Sequence, residues 1–275
     1  MRGMLRWLQT LRGNSGRSRP ADISDALWQD TLDRFPFLAR FGKHTLPALR
    51  RLTRDFLDHK EFHGAADLQI TDAMAVAIAA QACLPVLNIQ APHRGLAWYR
   101  DFVGIVVHPG AVRAQRETVD EAGIVHRYLE ELSGEAMEDG PVMLSWQDVA
   151  GAGESAQSGY NVVMHEFVHK IDMRGGMPHG CPPLPAGFMG AATATAARRA
   201  WAGTLNASYL AFSDALSMAE RFSGPAPWLD AYGAHSEGEF FAVASEAYFV
   251  NPGYFARDFP ALVPMFDAFF NPPRG

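Results

Sequence analysis

Two histidines four positions apart, with a glutamate directly after the first, propose a reaction: His165-Glu166-Phe167-Val168-His169. On a helix, positions four apart share a face, with Cβ atoms roughly 5–6 Å apart. Two imidazoles so placed can hold one zinc ion through bonds of about 2.0–2.1 Å. Glu166 then faces a water on the open side of the ion, where it can act as general base. The flanks are apolar, Val162-Val163-Met164 before the motif and Ile171 after it. Such a helix is expected to be buried, and buried His and Glu need partners. The competing reading, a surface helix with two ordinary histidines, fits these flanks poorly.

A catalytic zinc takes three protein ligands and keeps an open position. An H-E-x-x-H-x-x-G-x-x-H layout would need Gly at 172 and His at 175, where the chain has Asp172 and Gly175. No glutamate occurs between Glu166 and Glu220, which excludes a glutamate ligand some 20 residues downstream. The third ligand is therefore distant, or is Asp or His. Candidates are Asp172, His179, Asp214, Glu220, Asp230, His235, Glu237, Glu239 and Glu246. Glu239 is favoured because it opens a segment, residues 238–250, that is apolar on nearly every face. No Lys or Arg occurs from Phe222 to Ala256, so a carboxylate buried there needs a cation from elsewhere. The bland role for Glu239 is a capping box with Ser236. Glu246 or Asp172 could hydrogen-bond a ligand histidine from behind.

The elements that must position these residues are read from periodicity. Residues 22–63 read as helices, and 71–83 as a buried alanine-rich helix capped by Thr71 or Asp72. His59 and His63 repeat the four-residue spacing, but Gly64 is expected to end that helix and metal binding there is not expected. Strands are expected at 85–89, 102–107 and 141–149, the last as a sheet edge that could take a substrate as an added strand. Residues 117–139 read as an exposed acidic hairpin or loop, and Gly151-Ala152-Gly153 as a loop. The motif helix is expected from an N-cap at Ser158 to about Met173, stopped by Gly175-Gly176. Further helices are expected at 191–216, 236–250 and 260–270. Cys181, in a proline-rich loop, reads as an incidental thiol.

The chain of 275 residues is 48% apolar and 20% charged, a globular composition. A net charge of −6 argues against direct nucleic-acid binding. Cys83 and Cys181 are the only cysteines, too few for a disulfide framework and in keeping with a cytoplasmic location. Residues 1–20 hold no 7–15-residue apolar run, so a signal peptide is not expected, and the most apolar stretch, 73–87, contains Gln81 and Pro85 and is too short to span a membrane. Residues 1–21 carry five arginines and read as a basic flexible tail.

Ser158-Gly159-Tyr160-Asn161 with His165-Glu166-Phe167-Val168-His169-Lys170-Ile171-Asp172 resembles the Mlc titration factor A family of zinc peptidases, peptidase family M90. The match continues in Asp230-Ala231-Tyr232, Glu239-Phe240-Phe241-Ala242-Val243, Ser245-Glu246, Gly140-Pro141-Val142 and Cys83-Leu84-Pro85-Val86-Leu87, and spans roughly residues 30–270. The resemblance implies a cytoplasmic gluzincin whose catalytic core is like that of anthrax lethal factor. The fold implied is α+β: a predominantly helical single globular domain, residues 22–271, with a small mixed β-sheet beside the H-E-x-x-H helix. By motif position, His165, His169 and Glu239 would bind one zinc per chain, Glu166 would be the base, and Tyr232 would line the site. The activity expected is peptide-bond hydrolysis, with aminopeptidase-like and endopeptidase action both open. The implied partners are a peptide or protein substrate and a transcriptional repressor of the Mlc type. Two departures stand out, the proline-rich loop from Gly175 to Gly190 and His108 where the family tends to have Tyr. A regulator-sequestering zinc protein with weak or vestigial hydrolysis, and a purely structural zinc site, are the rival readings.

Overall fold

A computed structural model describes residues 22–40, 42, 44–119 and 125–270. The N-terminal segment 1–21, read above as a basic tail, lies outside the described residues. The fold is the expected one, a mainly helical α+β domain with a small mixed sheet.

In chain order, helices α1 (Asp25–Arg34), α2 (Pro36–Ala39) and α3 (Leu46–His59) lead into strand β1 (Glu61–Gly64) and helix α4 (Asp72–Cys83). Strands β2 (Gly104–His108), β3 (Val112–Val119), β4 (Val125–Leu132), β5 (Gly134–Ala136) and β6 (Val142–Ser145) follow. Helices α5 (Trp146–Ser155), α6 (Val162–Asp172), α7 (Ala194–Phe222), α8 (Glu237–Val250), α9 (Pro252–Asp258) and α10 (Val263–Phe270) complete the described chain. Four strands form one sheet in the order β1-β2-β6-β5. The first three are parallel and β5 runs antiparallel to β6, with Gly134 opposite Leu144. Strands β3 and β4 pair with each other as a separate antiparallel ribbon.

Three helices read as apolar throughout and are buried to match. Residues Met74 to Cys83 of α4, all of α6, and Phe240 to Val250 of α8 are buried. Each starts at a side-chain cap: Thr71 accepts from the Met74 N–H (3.2 Å), Asn161 from Met164 (2.9 Å) and Ser236 from Glu239 (3.1 Å). Aromatic rings lock α6 to its surroundings. Phe167 meets Phe56, Tyr99 and Phe102 at centroid distances of 5.6, 5.0 and 5.9 Å. Behind α8, Trp201 packs on Phe241 and stacks on Phe266. Lys170, the one cation in α6, is fully buried and donates to the carbonyls of Gly140 (2.9 Å) and Met137, pinning the turn that enters β6.

Several expectations about element boundaries are corrected. The motif helix starts after Asn161, not Ser158, which lies in the 3-10 turn Ala156–Ser158. The strand expected over 141–149 stops at Ser145, whose hydroxyl caps α5, so Gly151-Ala152-Gly153 is helical. It is not an edge either: β6 is paired on both sides, and the edge beside α6 is β5. Residues 85–89 form turns rather than a strand. The helix before the His59 decoy ends at His59, while His63 sits in β1, so those two histidines share no helix face. Of the two forms expected over 117–139, the hairpin matches the antiparallel β3–β4 pair, with β5 following it, and α9 was not foreseen.

Phe56 is fully buried and supports α6 through Phe167. Phe56→Ala is expected to lower unfolding stability by about 3–5 kcal/mol, read as a reduced urea midpoint. Lys60, buried between the carbonyls of Tyr99 and Phe102, has its pKa pushed down by burial to about 8, with Asp101 only partly opposing. Between that value and its unfolded value the unfolded chain binds the proton more tightly, so the folded state gains as pH rises. Wild-type stability measured against Lys60→Met should therefore increase from about pH 8 to 10.5; a flat difference would contradict the burial cost.

Candidate metal centre

Helices α6 and α8 lie against each other and bring together residues 74 positions apart. His165 Nε2 and His169 Nε2 are 3.1 Å apart, and Glu239 Oε2 is 3.0 Å from the first and 3.1 Å from the second. Among the described residues these are the one group of three or more His, Cys, Asp or Glu donors close enough to share an ion. A triangle with these 3.0–3.1 Å sides has its corners about 1.8 Å from its centre, within reach of zinc–nitrogen and zinc–oxygen bonds of about 2.0–2.2 Å.

The donor chemistry also fits a cation. Glu246 is almost fully buried; its Oε1 lies 2.7 Å from His165 Nδ1 and its Oε2 accepts from the backbone N–H of Asn161. Burial raises the Glu246 pKa, but two donors aimed at its two oxygens favour the carboxylate. Nδ1 of His165 then carries the proton, and the Nε2 lone pair points at the Glu239 carboxylate. Two acceptors at 3.0 Å repel unless positive charge lies between them. Without a metal that charge is a proton: burial opposes it, yet the bonds to Glu239 and Glu246 win and hold the His165 pKa well above normal. Burial likewise works against the Glu239 carboxylate, and its two histidine partners outweigh burial and depress its pKa strongly. A divalent ion would satisfy all three groups at once.

Glu166 faces the same space. It is 4% exposed, and burial, offset in part by both histidines, raises its pKa to about 6. Gly134 of the edge strand β5 leaves it room: a Cβ there would stand 2.7 Å from Glu166 Cγ and 2.8 Å from its carboxyl carbon. Tyr232, on the 3-10 turn Ala231–Ala234, places its ring 5.9 Å from that of His165 and is 37% exposed.

The geometry separates the earlier candidates. Ser236 accepts the Glu239 N–H as a helix cap, while Oε2 of the Glu239 side chain lies beside the two histidines. Asp172 does not serve a histidine ligand; its Oδ2 accepts from the N–H groups of His179 (2.8 Å) and Gly180 (2.6 Å), tying down the proline-rich loop. Glu237 bonds Asn206, and His235 packs on Tyr232. Cys83 and Cys181 are buried free thiols. Sequence reasoning missed Asn161 and Gly134. Asn161 was findable as a strong capping type just before the apolar run; nothing local marks Gly134.

Removing Glu246 as acceptor should loosen the ion without touching its donors. Glu246→Gln is expected to weaken zinc binding about 10–100-fold in competition with a chromophoric chelator. Glu239→Ala should weaken it further, and wild-type affinity in that variant would remove Glu239 from the donor set.

Comparison with known proteins agrees with this geometry. Residues 8–271 match the family described as glucose-regulated metallo-peptidase M90. The chain is 30% identical over 248 residues to Mlc titration factor A of Salmonella arizonae, covering 90% of this chain and 91% of the relative. It is 32% identical over 246 residues to the protein of that name from Serratia proteamaculans, covering 89% and 86%. For Klebsiella pneumoniae strain 342 the figures are 31% over 244 residues, 88% and 84%. With the family matched along most of its length, the chain belongs to the M90 metallopeptidases.

Proposed function

We propose that this chain is a zinc-dependent peptidase that hydrolyses peptide bonds in a peptide or protein substrate, with residues 22–271 as its catalytic domain. The observation that carries the reading is the convergence of His165, His169 and Glu239 beside the buried carboxyl of Glu166. Three donors rather than four in the cluster, among the described residues, favour a site with an open position over a structural one.

A bound zinc would supply Lewis acidity toward water and the scissile carbonyl. His165 and His169, whose Nε2 atoms converge with Oε2 of Glu239, would hold it together with that glutamate. Glu166, raised to about 6 by burial, is suited to take a proton from water and return it to the leaving amine. Tyr232 stands beside His165, where its hydroxyl can donate toward a developing oxyanion. Among the described residues β5 is the outer strand of the sheet, next to Glu166, a place suited to pairing with an extended substrate. Aminopeptidase-like action is the finer assignment we favour. A cytoplasmic setting is part of the same reading; no described helix is long and apolar enough to cross a membrane.

The name borne by the relatives, Mlc titration factor A, favours a second property: binding a transcriptional repressor of the Mlc type. Binding without turnover is the alternative function. A metal-free His165→Ala protein that still captures such a repressor would make binding independent of catalysis.

Glu166→Gln is expected to bind zinc as wild type does while hydrolysis of free-amine and blocked peptides falls at least about 100-fold. Undiminished hydrolysis would sink the base role. Gly134→Ala is expected to displace Glu166 and reduce hydrolysis with zinc retained; full activity would show that the edge strand tolerates a side chain there.

A further inference from the structure

Helix α4 is apolar from Met74 to Cys83 except for one amide, Gln81, which is fully buried. A lone amide in such a helix needs partners for both its donor and its acceptor. Its Nε2 donates to the Ala77 carbonyl (3.0 Å), and its Oε1 accepts from Asn161 Nδ2 (2.7 Å). Asn161 is fully buried too, and it caps α6 by accepting the Met164 N–H at Oδ1 (2.9 Å). The Asn161 backbone N–H goes to Glu246 Oε2, and Glu246 Oε1 receives His165 Nδ1 (2.7 Å). Gln81, Asn161, Glu246 and His165 thus form one buried chain that joins α4, α6 and α8.

The direction of the amide bonds in this chain is fixed. The cap requires Oδ1 of Asn161 to face Met164, so Nδ2 faces α4. Only an acceptor can meet Nδ2, so Oε1 of Gln81 faces it and Nε2 turns back to Ala77. Flipping either amide would set like groups face to face. Held this way, Asn161 presents its backbone N–H to Glu246, and Glu246 keeps the proton of His165 on Nδ1. The Nε2 lone pair then stays aimed at the other donors.

We propose that Gln81 is a positioning residue for the metal centre: it fixes Asn161, through Asn161 the carboxylate of Glu246, and through Glu246 the ring and tautomer of His165. The inference rests on the reading that His165, His169 and Glu239 hold zinc. A residue three hydrogen bonds removed from His165 then tunes affinity without touching the ion.

The test measures zinc Kd by chelator competition and the thermal midpoint of the metal-free protein. The variants are Gln81→Met and Gln81→Asn, each alone and with Glu246→Gln. The asparagine keeps a buried amide that can bond within its own helix but falls about 1.5 Å short of Asn161, so a variant with an intact polar core is available if the methionine form fails to fold. Both single variants are expected to raise the zinc Kd about tenfold, at the low end of outer-partner effects. In the Glu246→Gln background the same changes should cost less than about threefold, because both residues act along one path. Unchanged zinc Kd with a lowered metal-free midpoint, or an equal further loss in both backgrounds, overturns the proposal. His165→Ala separates it from the reading beneath it: wild-type zinc affinity in that variant defeats the metal assignment, whereas loss there with no loss in the Gln81 variants defeats only the positioning role.

Discussion

Buried negative charge is the constraint around which this molecule is arranged. Glu166, Glu239 and Glu246 meet at the contact between α6 and α8, and no Lys or Arg occurs from Phe222 to Ala256 to balance them. The cation that α6 does carry, Lys170, points at the carbonyls of Met137 and Gly140, near Asp101 and away from the carboxylates. Positive charge therefore has to come from the imidazoles or from an ion they hold. Desolvated carboxylates are costly, and the expense is tolerated where well-directed donors meet every oxygen. The helix caps, the aromatic packing around Phe167 and the close approach of β5 all serve to keep those directions fixed.

Much of this was legible in the sequence, and the reason is local. An H-E-x-x-H motif needs only helical periodicity to be read, and an apolar run shows that its helix is buried. Glu239 was reachable because a carboxylate in a cation-free apolar helix is anomalous wherever that helix ends up. For a partner behind a histidine the sequence offered Glu246 or Asp172, and the structure pairs Glu246 with His165. Element boundaries were harder. Ser145 passes directly from strand to helical cap, and the apolar Trp146 that follows mimics a continuing strand. Ser158 and Asn161 are both good caps, and only the packing chose between them.

What the sequence hid is pairing across distance. The misread edge is the clearest case, since β6 and β5 differ in whether another strand lies alongside, which no local pattern encodes. Asp172 was misplaced for a related reason. Its position on the motif helix suggested service to a histidine, but two loop N–H groups claim it first. Those two bonds fasten the proline-rich loop to the end of the motif helix.

The ribbon formed by β3 and β4 carries its own consequence. It is inserted between β2 and β5, yet neither of its strands hydrogen-bonds into the four-stranded sheet. Register in that sheet is set by the β1–β2, β2–β6 and β5–β6 pairs. The ribbon is thus a natural graft point. Its length and chemistry are free to diverge, or to be exchanged by design, while the strand that stands beside Glu166 keeps its alignment.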